Sequence, residues 1–97
     1  MLLDEGLFEF EWDAGNVGKN GKHGVSDSES EEVFFDSDKM ILKDILHSHA
    51  EERLILLGNT KKKRLLFVAF TRRKNRVRII SARDVNKKER GLYEKKS

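Results

Sequence analysis

The sequence predicts an α+β domain built on one mostly antiparallel sheet. Apolar runs of strand-like composition dominate the second half of the chain, and two capping signatures, Ser26 with Glu29 and Asn86 with Glu89, predict helices before and after them. A chain of 97 residues suits a single domain over 1–97 with one modest core. The expected order is β-α-α-β-β-β-β-α, with two N-terminal helices and one short C-terminal helix packed on the sheet.

The first strand and the first helix are predicted in the acidic N-terminal segment. Leu7 to Trp12 alternates apolar and acidic residues, which is the pattern of a half-buried strand. Asp13 is a suitable N-cap for a helix over Ala14 to His23, and Gly24 is a suitable residue to end it. Three glycines inside this segment each cost about 1 kcal/mol relative to alanine, so the helix is expected to be weak.

The remaining elements outside the hairpin follow from local patterns. The helix capped by Ser26 is expected to reach about Phe35, and the last helix is expected over Lys87 to about Lys95. Two strands are predicted over Met40–Leu46 and Arg53–Leu57. His47 and His49 lie between these strands, and a polar surface turn is favoured over a metal site for them.

A hairpin is predicted at the centre of the sheet. Residues 64–71 contain an unbroken apolar run, residues 76–83 contain a run rich in β-branched residues, and Arg72 to Asn75 is a polar connection between them. The side chains expected to be largely buried in this hairpin are Leu66, Phe67, Val68, Val77 and Ile79.

The second hairpin strand holds arginines at positions that matter for function. Arg76 and Arg78 alternate with apolar residues and therefore project from one face. Arg83 follows Arg78 at an odd spacing of five, so a regular strand sends it to the opposite face. The two guanidinium groups can share a face only if the strand breaks or bulges near Ser81-Ala82. On these residues alone, an ordinary solvated face is favoured over a phosphate site.

The charges of the chain are unevenly divided. Residues 1–60 hold five Lys/Arg against fourteen Asp/Glu, a balance of −9, whereas residues 61–97 hold fifteen against three, a balance of +12. A basic half of this charge density is typical of a protein that binds nucleic acid or an acidic protein. The chain has no Cys and no apolar stretch of roughly 18 residues, so disulfides, thiolate metal sites and membrane helices are not expected. We expect a cytoplasmic location.

The residue types present suit metal-free cleavage of RNA. That reaction needs cations for the charge that develops on phosphorus and groups that move protons to and from the reacting oxygens. Neither a metal nor a cofactor is expected, because no ligand spacing and no Gly-rich phosphate loop is present. On chemistry alone, His23 is better explained as a helix-end residue, Glu89 as a cap and Tyr93 as a core residue.

Five segments in order resemble the BrnT family of ribonuclease toxins from type II toxin–antitoxin pairs. They are WDAGNVGKN, the Lys22-His23-Gly24-Val25 segment, Glu51-Glu52-Arg53, RIISAR, and Glu89-Arg90-x-x-Tyr93, and together they extend from about Phe8 to Tyr93. The resemblance implies a RelE-like fold and an RNA-cleaving toxin that stalls translation. It also implies a BrnA-like ribbon-helix-helix antitoxin, in a two-plus-two complex that binds operator DNA.

The resemblance also implies a set of catalytic candidates, which are Lys22, His23, Glu52, Arg53, Arg78, Arg83, Glu89 and Tyr93. The arginines expected to bind RNA in the basic half are Arg64, Arg72, Arg73 and Arg76. One departure is that a single residue separates Asn20 from Lys22, where the family has two, which makes an attenuated toxin an alternative. A second alternative is a non-catalytic basic module that binds nucleic acid or an acidic partner, whereas a gyrase toxin of ParE type is not suggested.

Overall fold

The computed structural model describes residues 9–47 and 51–96. Five strands and two α-helices lie within these residues: β1 Glu9–Phe10, α1 Asp27–Glu32, β2 Met40–Lys43, β3 Arg53–Asn59, β4 Leu65–Arg73, β5 Arg76–Asp84 and α2 Lys87–Lys96. Three short 3₁₀ helices cover Lys19–His23, Val33–Phe35 and Ile45–His47. The α+β class is therefore confirmed.

The strands form one sheet in the order β1-β5-β4-β3-β2. Strands β2, β3, β4 and β5 pair with their neighbours in antiparallel fashion, and β1 pairs with β5 in parallel. The sheet is mixed, but its pairings are mostly antiparallel, as the sequence predicts. The predicted hairpin is confirmed as β4 and β5, with β4 in the central position of the sheet.

The hairpin is longer and its turn shorter than predicted. The two strands extend to Arg73 and Arg76, so only Lys74 and Asn75 remain as the turn. Lys74 has a φ of 59°, in the left-handed region that tight turns use. The long ladder keeps the arginines of both strands on a rigid scaffold up to the turn.

The predicted helix over Ala14 to His23 is wrong. The chain forms turns after Asp13 and then a 3₁₀ helix, Lys19–His23, that begins after Gly18 with a φ of 68°. A residue in this left-handed conformation interrupts an α-helix, and the hydroxyl or carboxylate cap that a helix needs is absent at Gly18. Asp13 instead accepts a hydrogen bond from the N–H of Gly15 (2.8 Å), which closes a local turn.

The second predicted helix is confirmed at its start. The Ser26 hydroxyl accepts a hydrogen bond from the N–H of Glu29, and the Glu29 carboxylate accepts one from the N–H of Ser26, which forms the expected capping box. The α-helix ends at Glu32 and continues as 3₁₀ helix through Phe35. The helical segment thus has the predicted length with a tighter last turn.

The predicted strand over Met40–Leu46 is too long. It ends at Lys43: the N–H of Asp44 still donates to the carbonyl of Arg53, and the chain then leaves the sheet. Ile45 and Leu46 are 77% and 82% exposed in the 3₁₀ helix that follows. Among the other N-terminal and turn predictions, Leu7, Phe8 and His49 lie outside the described residues.

The two faces of the sheet bury different clusters. The face toward α1 holds the main core, to which β4 and β5 contribute Leu66, Val68, Phe70, Val77 and Ile79. On the other face, α2 packs through Tyr93 against Leu57 and Leu65 and covers only one end of the sheet. No helix among the described residues is long and apolar enough to cross a membrane.

One predicted core residue is only partly buried. Leu66, Val68, Val77 and Ile79 are almost fully buried, as expected, but Phe67 lies on the face of α2 and is half-buried. The guanidinium carbon of Arg83 lies 4.0 Å from the centre of the Phe67 ring, a cation–π contact. The apolar run of β4 therefore supports a charged side chain on one of its faces.

Candidate functional site

A bulge in β5 places its arginines on one face of the sheet. The register of the hairpin shifts between Ala69 and Phe70 of β4, and Ile80 is the extra residue in the opposite strand. An extra residue reverses the alternation of all side chains that follow it. Arg83 therefore shares a face with Arg78. The sequence allowed this only if the strand were irregular near Ser81-Ala82, and the bulge at Ile80 lies just before that position.

We call this surface the arginine face and define it by two neighbouring rows of side chains. Arg53 of β3, Thr71 of β4 and Arg78 of β5 are cross-strand partners and form the first row. Arg73 and Arg76 pair with each other and form the second row, next to the hairpin turn. Four cations from three strands are thus held around a single threonine on the open part of the sheet.

Arg83 extends this face toward α2 but lies in a separate row. Its partner on β4 is Phe67, whereas the partner of Arg78 is Thr71. The four residues between these partners place the two rows roughly 13 Å apart along the strand. Two arginine side chains on one face can therefore contact neighbouring phosphates of one strand of nucleic acid more easily than a single phosphate.

Carboxylates from the acidic half of the chain, residues 1–60, hold Arg78 and Arg73. Arg78 donates to both carboxylate oxygens of Asp13, at 2.8 and 3.0 Å, and approaches Glu11 at 3.5 Å. Arg73 donates to Glu51 at 2.6 and 3.1 Å and to Glu11 at 3.4 Å. The hydrogen bonds from Arg78 lower the pKa of Asp13, and those from Arg73 lower the pKa of Glu51. A bidentate carboxylate occupies the position that a phosphate takes on a guanidinium fork.

Arg83 is fixed by the start of α2. Its two terminal nitrogens donate to the two carboxylate oxygens of Glu89, each at 2.9 Å. Glu89 also accepts from the N–H of Asn86, whose side chain accepts from the N–H of Glu89, so the predicted capping box is confirmed. Burial acts to raise the pKa of Glu89, but the hydrogen bonds from Arg83 and Asn86 together hold it below its usual value.

Tyr93 lies in a different cluster from the arginine pairs. Its hydroxyl donates to Asp36 at 2.6 Å and accepts from the side-chain amide of Asn59 at 3.2 Å. Burial, followed by the hydrogen bond to Asp36, raises the pKa of Tyr93 to about 12. Asn59 lies six residues from Arg53 along β3, roughly 20 Å from the first row of the arginine face.

Comparison with known proteins decides the family. The family model described as the ribonuclease toxin BrnT of type II toxin–antitoxin systems matches residues 12–89. The chain belongs to the BrnT family. No curated protein matches the chain at a significant level. The family is one of ribonuclease toxins whose partner in a type II system is a protein antitoxin.

Two of the residues predicted to be catalytic in this chain lie beside the edge of β5. Lys22 and His23 end the 3₁₀ helix Lys19–His23, and both are exposed. This segment is fastened to β5 by buried asparagines: Asn16 donates to the carbonyl of Ile79 at 3.0 Å, and Asn20 accepts from the N–H of Ala82 at 2.8 Å. The segment with a single residue between Asn20 and Lys22 is therefore a 3₁₀ helix that lies along the edge of β5.

Two further predicted residues lie at the start of β3. Glu52 is exposed and forms an ion pair with Lys43 at 3.5 Å. Arg53 lies in the first row of the arginine face and approaches Asp44 at 3.5 Å. Of these two, only Arg53 belongs to the arginine face by register.

The arginines predicted to bind RNA divide into two groups. Arg73 and Arg76 lie on the arginine face, and Arg76 has an ion pair with Glu9 at 3.8 Å. Arg72 pairs in register with Val77, and alternation directs it to the opposite face. Arg64 lies on neither row, because it donates to Asp84, Glu29 and the carbonyl of Gly24 and so joins β4 to β5 and α1.

The separation of charge along the chain is not a separation in space. Glu9, Glu11 and Asp13 of the acidic half contact the arginines of β4 and β5. The alternating pattern before Trp12 predicted a strand with an acidic face, but it did not predict that this strand pairs with β5. The sequence reasoning therefore missed Glu11, Asp13 and Thr71 as residues of the arginine face.

No group of three or more potential metal ligands occurs among the described residues. A pocket of about 450 Å³ lies beside the Tyr93 cluster and is lined in part by Asp36, Asn59, Lys61 and Lys63. None of the predicted site residues lines this pocket. We place the candidate site on the arginine face because the cations of the predicted set meet there.

Proposed function

We propose that this BrnT-family protein is an endoribonuclease that cleaves RNA by metal-independent phosphoryl transfer and so inhibits translation in the cytoplasm. The observation that carries the proposal is the bulge at Ile80, which brings Arg83 to the face that Arg53 and Arg78 already share through their pairing with Thr71. Without it, the strongest pair of charge-stabilising candidates would lie on opposite sides of the sheet. A bulge beside a functional site is a common way to redirect a side chain.

The reaction that fits these residues begins with loss of the 2′-hydroxyl proton. The 2′-oxygen attacks the adjacent phosphorus, the bond to the 5′-oxygen breaks, and that oxygen takes a proton as it leaves. The products are a 2′,3′-cyclic phosphate and a 5′-hydroxyl. Arg78 stabilises the charge on the nonbridging oxygens with the same two-pronged contact that it makes to Asp13.

The other predicted residues divide by their surroundings. Lys22 and His23 are the exposed candidates for proton transfer beside β5. Glu89 orients Arg83 through two hydrogen bonds, which supports a positioning role for the carboxylate. Tyr93 is held in the cluster with Asp36, which supports a structural role for its hydroxyl.

The partner that we propose is a BrnA-like ribbon-helix-helix antitoxin, in a two-plus-two complex that binds operator DNA. Residues 61–97 carry a balance of +12, which suits an antitoxin that presents acidic residues. The guanidinium groups of the arginine face already bind carboxylates, as Arg78 binds Asp13, and acidic side chains of an antitoxin can bind them in the same way. We extend the proposal to a RelE-like fold, which the mostly antiparallel sheet supports, with one α-helix before strands β2 to β5 and one after them.

The test compares Arg78→Ala with Arg76→Ala. Both arginines lie on the arginine face of β5, but Arg76 is more exposed, and its ion pair with Glu9 at 3.8 Å is longer than the contacts of Arg78 with Asp13. Single-turnover cleavage of RNA is measured beside affinity for an uncleavable 2′-deoxy analogue. Arg78→Ala is expected to lower the cleavage rate at saturation by roughly a hundredfold or more. Arg76→Ala is expected to weaken binding modestly and to lower the salt slope by about one unit.

Three results would contradict parts of this proposal. If Arg78→Ala cleaves saturating RNA at the parent rate, Arg78 contributes to binding alone. If the parent binds RNA and never cleaves it, the chain is a non-catalytic basic module. If EDTA abolishes cleavage and Mg²⁺ alone restores it, the metal-independent mechanism is wrong.

A further inference from the structure

Thr71 has a buried hydroxyl group that no other group in the described structure satisfies. The residue is 5% exposed, and its Oγ1 is buried without a hydrogen-bond partner. Buried polar groups in folded proteins are almost always hydrogen-bonded, so an exception needs a reason. Four other buried polar residues, Asn16, Asn20, Ser30 and Thr60, all have hydrogen-bond partners, and the buried Nε of Arg53 lies 3.5 Å from a carboxylate oxygen of Asp44.

The position of Thr71 indicates what its missing partner is. In the register of the sheet, Arg53 is its neighbour on β3 and Arg78 is its neighbour on β5. Guanidinium groups donate hydrogen bonds and do not accept them, so these neighbours cannot satisfy the hydroxyl hydrogen. The ligand that suits all three side chains at once is an anion with several acceptor oxygens.

We propose that the Thr71 hydroxyl donates a hydrogen bond to a phosphate oxygen of RNA that lies across the Arg53–Thr71–Arg78 row. The inference rests on the proposed function, because it names a further RNA-contacting residue of the same site. In this proposal the hydroxyl group of Thr71 contacts RNA, in addition to the β-branched shape by which threonine favours a strand. The row then supplies two charged donors and one neutral donor to a single oxyanion.

The ion pairs of Arg78 provide a route by which the phosphate reaches this row. Arg78 contacts Asp13, whose side chain is 54% exposed at the surface of the protein. RNA replaces one oxyanion with another on the same guanidinium group, and the displaced carboxylate returns to water. Arg78 then lies with its phosphate above the strand position of Thr71, and the hydroxyl gains the acceptor that it lacks in the free protein.

The experiment compares Thr71→Val with Thr71→Ser. Valine keeps the β-branched shape and removes the hydroxyl, whereas serine keeps the hydroxyl and removes the methyl group. Affinity for the uncleavable 2′-deoxy analogue and the single-turnover cleavage rate are measured for both variants, together with the temperature of unfolding. If valine prevents folding, Thr71→Ala replaces it in both assays.

The expected result is a loss of RNA function without a loss of stability. Thr71→Val should bind the analogue and cleave RNA roughly tenfold or more less well, because a hydrogen bond to a charged group is lost. It should unfold at the parent temperature or above it, since an unsatisfied hydroxyl has been replaced by a methyl group. Thr71→Ser should remain within about twofold of the parent in both RNA assays.

Several outcomes would overturn the inference, and they differ from failure of the proposed function. Parent-like binding and cleavage by Thr71→Val would show that RNA does not use the hydroxyl. Equal losses in Thr71→Ser and Thr71→Val would assign the effect to packing, and a lower unfolding temperature for valine would reveal a partner within the protein. A parent protein that neither binds nor cleaves RNA would reject the proposed function itself.

Discussion

Removal of the Tyr93 hydroxyl tests whether this residue is structural or catalytic. Tyr93→Phe deletes the hydrogen bond to Asp36 at 2.6 Å and the acceptor of the Asn59 amide at 3.2 Å. The ring, which packs α2 against the sheet, stays in place. We expect a folded protein of lower stability that cleaves saturating RNA at the parent rate, because this cluster lies roughly 20 Å from the first row of the arginine face.

The size of the loss follows from the hydrogen bond to Asp36. A hydrogen bond to a charged group contributes about 1.5–3 kcal/mol. Burial, followed by this hydrogen bond, raises the pKa of Tyr93 to about 12, so the hydroxyl remains a donor at neutral pH. A loss of about 2 kcal/mol in the free energy of unfolding lowers the melting temperature of a domain of this size by roughly 8–16 °C.

The same substitution changes how stability depends on pH. The pKa of Tyr93 is raised in the folded state, so its contribution is complete below pH 10 and is lost as the pH rises through about 12. Burial acts to raise the pKa of Asp36, but hydrogen bonds from Tyr93, Asn59 and Asp38 hold it below its usual value. The contribution of Asp36 is therefore present above about pH 4 and is lost on further acidification. Tyr93→Phe should flatten both limbs of the profile.

The assay is thermal and urea unfolding of Tyr93→Phe, Asp36→Asn and the double variant. The double-mutant cycle isolates the energy of the hydroxyl–carboxylate pair from the effects of each substitution. Strictly additive losses, or a single variant with the parent melting temperature, would refute the proposed cluster. A folded Tyr93→Phe protein that binds RNA but cleaves it far more slowly would return Tyr93 to the catalytic residues.

Three further predictions follow from the contacts of β5 and from its charge. Asn20→Ala removes the acceptor of the buried N–H of Ala82 and should lower the free energy of unfolding by about 1–3 kcal/mol, measured by urea denaturation. Deletion of Ile80 removes the bulge and directs Arg83 toward the core, so it should cost about 3–5 kcal/mol or prevent folding, measured as soluble yield and melting temperature. Association with the antitoxin should slow steeply as salt is added, because residues 61–97 attract an acidic partner, and stopped-flow mixing measures that rate.

Matched variants control these measurements. Lys19→Ala, an exposed change in the same 3₁₀ helix as Asn20, should stay within about 0.5 kcal/mol of the parent, and an equal loss would show that the segment as a whole is sensitive. Ile80→Ala keeps the residue count of β5 and should fold, so a deletion variant that is as stable as Ile80→Ala would argue against the bulge. An antitoxin association rate that is indifferent to salt would contradict the electrostatic prediction.

The central hairpin and both capping boxes could be predicted because each depends on residues that are close in sequence. Alternation of Arg76 and Arg78 with Val77 and Ile79 specifies which side of β5 is buried. Likewise, Ser26 and Glu29 are three residues apart and satisfy each other across one helical turn. The failed helix before Gly24 shows the limit of such reasoning, since local glycine conformations overrode the favourable cap.

The arginine face depends on contacts between segments that are distant in sequence. Asp13 reaches Arg78 across 65 residues because β1 pairs in parallel with β5, a pairing that no local pattern indicates. The sequence alone determined that cationic side chains would project from a central strand. Only the tertiary structure decided that Arg83 joins them, because one inserted residue, Ile80, reverses the faces of all that follow. The same register sets Thr71 between two arginines, and neither neighbour can accept the hydrogen of its hydroxyl.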